Sequence, residues 1–312
     1  MLLCVDVGNT QIALGLYPDA GDGADSSGGA PSGGDPGSID LQAADPRPCL
    51  IRDWRMRTDP RITADELEVA IRGMLGGYAA RVTGVAALST VPSVLRELRL
   101  MLDRHADDMP SMIVEPRVRT GVPILVDNPK EVGADRVVNT LAAHRLYGQA
   151  CIVVDFGTST NIDVVSARGE FLGGALAPGI EISVEALTTR AAQLTTVELV
   201  RPRSVIGKNT VECLQSGILY GFTGQVDGLV RRILAELSGS SGSGRSISTD
   251  PSVTVLATGG LAPLIVGVSD TITEHVPDLT LLGLRLVYLR SVAAPTRRTA
   301  RSTVVRSGSS PR

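Results

Sequence analysis

Short runs of β-branched and apolar residues alternate along this chain with longer stretches whose apolar positions recur every three or four residues, the pattern of an α/β architecture. LLCVDVG (2–8), QIALGLY (11–17) and CLIRDWRMR (49–57) predict three opening strands. ADELEVAIRGML (64–75) gathers Leu67, Ala70, Ile71 and Leu75 on one helical face, with Thr63 placed to cap it. TGVAALST (83–90) predicts a strand, VPSVLRELRLML (91–102) a helix with Pro92 in its first turn, and SMIVE (111–115) another strand. A further helix is expected over 134–147, with Val137, Val138, Leu141 and Leu146 apolar and Gly148 as its stop. VTVLATGGLAP (253–263) reads as a buried strand that turns through Gly259 and Gly260 into a helix signalled by Pro263. Trp54, alternating with charged neighbours, is expected to pack on one face of its strand, and His144 to be an exposed helix residue.

The pattern also repeats. LLCVDVGNT at 2–10 and CIVVDFGTST at 151–160 share an apolar run followed by Asp, a hydrophobe, Gly and small polar residues, with Asp6 and Asp155 equivalent and 149 residues apart. Such an echo predicts a duplicated lobe, two similar halves facing one another across a cleft. A strand that ends in Asp-x-Gly and turns back at once brings bare backbone close to a ligand, and the N–H groups of Gly8, Asn9 and Thr10 are placed to donate to phosphate oxygens. The Asp6 carboxylate would repel phosphate directly, so it suits a hydrated cation between the two, such as Mg²⁺. One such motif is equally a hairpin with an aspartate cap; two copies favour nucleotide phosphates. Paired glycines at 259–260 would let adenosine lie on backbone.

Composition narrows the class. With 43% hydrophobic and 20% charged residues, 312 residues are enough for about two domains. A net charge of −3 and 3% aromatics argue against nucleic acid as a partner. Cys4, Cys49, Cys151 and Cys213 form no CxxC pair, and no apolar stretch has membrane-spanning length, so a reducing, cytoplasmic setting without membrane contact is expected. Residues 18–38 hold seven Gly, four Ser, three Pro and four Asp with no bulky apolar group, which predicts a flexible acidic insertion. After Arg290 come five arginines and no acid, which predicts a disordered basic tail over 291–312.

DVGNT, DFGTST and ATGG, in that order, resemble the superfamily of acetate kinase, sugar kinases, Hsp70 and actin. GVPILVDNPKEVGADRVVN (121–139), EFLGGALAPGI (170–180), ELVRPRSVIGKNT (198–210) and QSGILYGFTGQVDGLV (215–230) narrow the resemblance to type III pantothenate kinase. It implies two actin-like lobes of mixed sheet and helices, 1–130 and 131–290, joined in a homodimer with sites near the subunit boundary. It also implies phosphorylation of pantothenate by ATP, with Mg²⁺ and a monovalent cation, K⁺ or NH₄⁺. Asp6, Val7, Gly8, Asn9, Thr10, Gln11, Ile12 and Ala13 match the family's ATP-phosphate segment, and Thr158 an ATP contact. Gly133, Ala134, Asp135 and Arg136 match its pantothenate segment, Thr210 a further substrate contact, and Asp155 its monovalent-cation ligand. Read from the residues alone, Asp135 is a helix-start charge, stabilised by the helix's positive end; the resemblance makes it the general base. Arg136 is then a partner for the pantothenate carboxylate, or else a surface ion pair. Val126 stands where many members carry tyrosine, so a hydroxyl contact to substrate is missing, and Asn161 interrupts the usual threonine-rich run. A kinase for another small alcohol and a non-catalytic nucleotide sensor are the competing readings.

Overall fold

The apolar runs assemble into two five-stranded sheets of matching design. The computed structural model describes residues 1–19, 49–105, 109–115, 118, 120–190, 197–239 and 252–293. In the first sheet β1 (Leu2–Val7), β2 (Gln11–Tyr17), β3 (Arg52–Arg57), β4 (Gly84–Ser89) and β5 (Ser111–Ile113) lie in the order β3-β2-β1-β4-β5. In the second, β6 (Ala150–Phe156), β7 (Ser159–Val165), β8 (Phe171–Pro178), β9 (Val253–Thr258) and β10 (Glu274–His275) lie in the order β8-β7-β6-β9-β10. The central strands β1 and β6 each run antiparallel to the next strand in sequence and parallel to the neighbour on the other side. The sequence echo is therefore a repeated sheet, with Asp6 and Asp155 each the penultimate residue of a central strand.

Among the described residues seven α-helices cover these sheets in layers: α1 (Ala64–Leu75), α2 (Pro92–His105), α3 (Ala134–Tyr147), α4 (Ile180–Arg190), α5 (Thr210–Leu237), α6 (Ala262–Val266) and α7 (Leu279–Ala293). Leu3, Val5 and Val7 point away from the other lobe and pack with Leu67 and Ile71 of α1 and Leu98 of α2. Ile152, Val154 and Phe156 do the same with Ile218, Val226 and Val230 of α5. The opposite strand faces, Leu2 and Cys4 of β1 and Cys151 and Val153 of β6, meet a shared core built on Val138 and Leu141 of α3 and Leu282 and Leu286 of α7. Helix α7, from the end of the described chain, packs on β1, β2 and β4 as well as on α3, so it ties the two halves together.

Several expectations are refined. Thr63 caps α1 in a full capping box with Glu66, whose carboxylate accepts from the Thr63 N–H at 2.9 Å. Strand β3 begins at Arg52, three residues later than expected, and β5 ends at Ile113. α3 is buried on every side from Val137 to Ala143 rather than on one stripe, because it lies between the sheets. His144 is half-buried, with Nε2 3.1 Å from the Ala167 carbonyl, since α3 passes the β7–β8 turn there. Trp54 packs edge-on against Tyr78, ring centres 6.3 Å apart. Helix α7 continues to Ala293, past the boundary expected at 290. Of the acidic insertion, Asp19 accepts from the N-terminal ammonium at 2.7 Å; residues 20–38, and 294–312 of the tail, lie outside the described residues. All four cysteines are free, and among the described residues no helix is long and apolar enough to cross a membrane.

Candidate active site

Side chains alternate along a strand with a period of two, and this alone aims the two echoed aspartates at each other. Asp6 follows Leu2 and Cys4 on the inner face of β1, and Asp155 follows Cys151 and Val153 on the inner face of β6. Both therefore leave their sheets where the α3–α7 layer ends, at a cleft of about 770 Å³ lined by both hairpins, the start of α3 and the start of α7.

The hairpins differ in detail. Gly8, Asn9 and Thr10 link β1 to β2, and the Gly8 N–H already donates to the Gln11 carbonyl at 3.0 Å. This corrects the expectation of three free donors: Gly8 closes the turn, which leaves the N–H groups of Asn9 and Thr10. Thr58, the residue after β3, braces the turn, its hydroxyl donating to the Gly8 carbonyl at 2.7 Å and its N–H to the Thr10 carbonyl at 3.0 Å. In the second hairpin the Gly157 N–H donates to the Ser159 carbonyl at 3.0 Å, and the Thr158 carbonyl accepts from the Gly179 N–H at 3.1 Å. Gly259 closes the far wall with φ +90°, and any β-carbon there would stand 2.5 Å from the Phe156 carbonyl oxygen and 2.6 Å from Asp155 Oδ1. Only glycine lets β9 pass that close to the aspartate.

Asp6, Gly8, Asn9, Thr10, Gln11, Ala13, Gly133, Asp135, Arg136, Asp155, Thr158, Gly259 and Gly260 all line this cleft. Val7 and Ile12 do not, because their side chains are fully buried in the outer core of the first sheet. Ala134 packs against the central core instead. Thr210 is exposed at the first residue of α5, away from the cleft lining. Val126 joins Val132, Val137 and Phe171 in a small apolar cluster outside the lining.

The sequence reading also missed residues. Arg55 of β3, opposite Ala13 in the ladder, lines the cleft, as do Asp278 and Thr280 at the start of α7. The alternation in RDWRMR contained the signal for Arg55; the α7 residues reach the cleft only through folding. Arg136 is no surface ion pair: its Nε and Nη2 donate to Oδ1 of the buried Asp163 at 2.9 and 2.5 Å, and its guanidinium lies over the Phe171 ring, 5.0 Å from the centre.

Three carboxylates thus share one enclosed space. Burial, then the negative charges of Asp135 and Asp155, push Asp6 up to about 7, against the pull of Arg55. Burial, then Asp135 and Asp163, push Asp155 up to about 7. Asp135 is also raised by burial, although its carboxylate accepts backbone N–H bonds at the helix start that favour the charged form. Among the described residues no three His, Cys, Asp or Glu side chains form a metal cage. A cleft carboxylate without a cage suits Mg²⁺, which keeps several waters and is held by one or two carboxylates together with phosphate oxygens.

These shifts make the fold sensitive to pH. Between the unfolded value near 4 and the folded value of about 7, the native state binds more protons than the unfolded chain, so stability falls as pH rises through that window. Thermal melts should therefore show the Asp6→Asn/Asp155→Asn variant gaining on the wild type from about pH 4.5 to 7 and the gain levelling off above that. A pH-independent difference would mean that the two groups ionise normally.

The family model of type III pantothenate kinase matches residues 37–232 of this chain. The type III pantothenate kinase of Saccharopolyspora erythraea is 66% identical over 292 residues, covering 93% of this chain and 99% of the relative. That of Rhodococcus jostii is 58% identical over 293 residues, covering 94% and 96%. Among solved structures, a conserved Baf family protein from Campylobacter jejuni superposes with a TM-score of 0.51 at 14% identity, over 93% of this chain and 98% of that one, a likeness of fold.

Proposed function

The chain belongs to the type III pantothenate kinase family, and from that premise we propose that it transfers the γ-phosphoryl group of ATP to the primary hydroxyl of pantothenate. The observation that carries the proposal is the convergence of Asp6, Asp135 and Asp155, from two hairpins and a helix start, on one cleft closed by Gly259. In this reading Asp135 takes the hydroxyl proton as that oxygen bonds to the γ-phosphorus and the bond to the β-phosphate oxygen breaks, leaving ADP. A base lifted from the ordinary carboxylate range by burial is better matched to that proton than an exposed one. The N–H groups of Asn9 and Thr10 hold phosphate oxygens, and adenosine lies against Gly259 and Gly260. Mg²⁺ would be held through Asp6 and would neutralise charge on the transferring phosphate. Asp155 would hold a monovalent cation, and Arg136 the substrate carboxylate.

The lobes at 1–130 and 131–290 serve this chemistry as two walls, with α7 as a shared strut. A homodimer is part of the same reading. Thr210, a substrate contact by resemblance, stands outside the cleft, and the exposed Val205, Ile206 and Val211 lie within five residues of it in sequence, apolar surface that a second copy would cover while bringing Thr210 to a neighbouring site. The setting proposed is cytoplasmic.

Purified protein given ATP, Mg²⁺ and pantothenate, with K⁺ or NH₄⁺ added or withheld, should form 4′-phosphopantothenate by mass, with faster turnover when the cation is present. Sugars in place of pantothenate should release no ADP. Absence of the phosphorylated product under every cation condition would leave a nucleotide sensor as the reading, and ADP release with sugars would make it a kinase for another alcohol.

A further inference from the structure

Asp163 does not line the cleft and matches no substrate segment, yet it is a 1% exposed carboxylate on the inner part of β7. It lies within electrostatic reach of two other acids: its charge is among those that oppose ionisation of Asp155, and Asp135 in turn opposes its own. A carboxylate buried among carboxylates is unfavourable unless it is paired. Its partner is Arg136, whose Nε and Nη2 both donate to the same Oδ1. One edge of the guanidinium is thereby fixed, and Phe171 covers its face. On the β8 side of the ladder Asp163 faces Gly174, which has no side chain to compete for the space. Arg136 itself lines the cleft, next in sequence to Asp135.

We infer that Asp163 is a positioning residue that selects an anionic group on the acceptor substrate: it clamps the Nε–Nη2 edge of Arg136 so that the remaining N–H groups face the cleft as a preformed carboxylate fork. The inference rests on the proposed role of Arg136 toward pantothenate. A free arginine on a helix start samples many rotamers, and holding it in one removes that ordering loss from the binding step. Removing the clamp should therefore weaken binding of an acid and leave a neutral analogue of the same shape almost untouched.

The test measures dissociation constants by calorimetry, with a non-hydrolysable ATP analogue present, for pantothenate and for the alcohol in which CH₂OH replaces its carboxylate. Asp163→Asn and Arg136→Gln should each weaken pantothenate by about tenfold or more while changing the alcohol by less than about threefold. If Arg136→Gln weakens both ligands equally, the reading of Arg136 as carboxylate partner fails. If Arg136→Gln discriminates and Asp163→Asn does not, the clamp fails while that reading stands. The double variant removes both partners together, so no lone buried charge threatens folding, and its pantothenate affinity should equal that of Arg136→Gln alone. A further loss of about tenfold in the double variant would show Asp163 acting without Arg136 and overturn the inference.

Discussion

Asparagine in place of Asp135 is expected to lower kcat by about 10²- to 10⁴-fold, the range for loss of a positioned general base, while KM for ATP and for pantothenate changes little. The amide has the same shape and keeps an oxygen able to accept the backbone N–H bonds at the start of α3. It cannot take a proton. The structural cost should be small, since the substitution also removes a negative charge that opposes the ionisation of Asp6 and Asp155. The variant should therefore melt at or above the wild-type temperature at pH 8. Steady-state kinetics and a thermal melt on the same preparation decide the matter: full kcat would remove Asp135 from the role of base, and a collapsed melt would assign it to the fold instead.

The largest stability effect is expected at Gly283, where α7 crosses α3. A β-carbon at that position would overlap the Val138 carbonyl oxygen and stand 2.8 Å from the Val138 side chain. Gly→Ala inside a helix ordinarily stabilises by about 1 kcal/mol. Overpacking a helix crossing costs about 1–3 kcal/mol, and here the obstacle is backbone, which cannot swing aside. Gly283→Ala should therefore be destabilising, and Gly283→Val more so, with the melt lowered by several degrees at about 2–4 °C per kcal/mol. Gly73, exposed on α1 with no atom within 4 Å of its would-be β-carbon, supplies the control, and Ala there should be neutral or stabilising. Because α3 carries Asp135 and α7 starts at the cleft, with Asp278 just before it and Thr280 in its first turn, forcing the two helices apart should also lower kcat. A Gly283→Ala variant more stable than the wild type would mean that the helices do not meet as described.

Much of this was open to reading because local rules carried it. Thr63 and Glu66 are close in sequence, so their capping box needs no tertiary knowledge. Asp6 and Asp155 recur in one motif, and strand alternation with period two aims both inward once a sheet exists on each side. The strand runs were recognised, but their ends moved by a few residues, because ladder hydrogen bonds rather than residue preference decide where a strand stops. Gly8 follows the same rule: nothing in the motif shows that its N–H is taken by the Gln11 carbonyl, because that bond forms only once the turn closes.

By itself, then, the sequence determined the α/β class, the duplication, the two aspartate hairpins, the glycine pair and the helix start with Asp135, since each depends on neighbours within a few residues or on a repeated pattern. Only the tertiary structure decided that α7 returns to brace the first sheet, that α3 is buried all round, that Arg55 and Asp278 share the cleft, and that Arg136 is held by Asp163. These depend on which faces meet after the chain has closed on itself, and no local preference encodes a cleft lined by residues as far apart in sequence as Asp278 and Asp6. The raised pKa values of Asp6 and Asp155 belong to the same group, because desolvation and mutual repulsion exist only once the two halves enclose them.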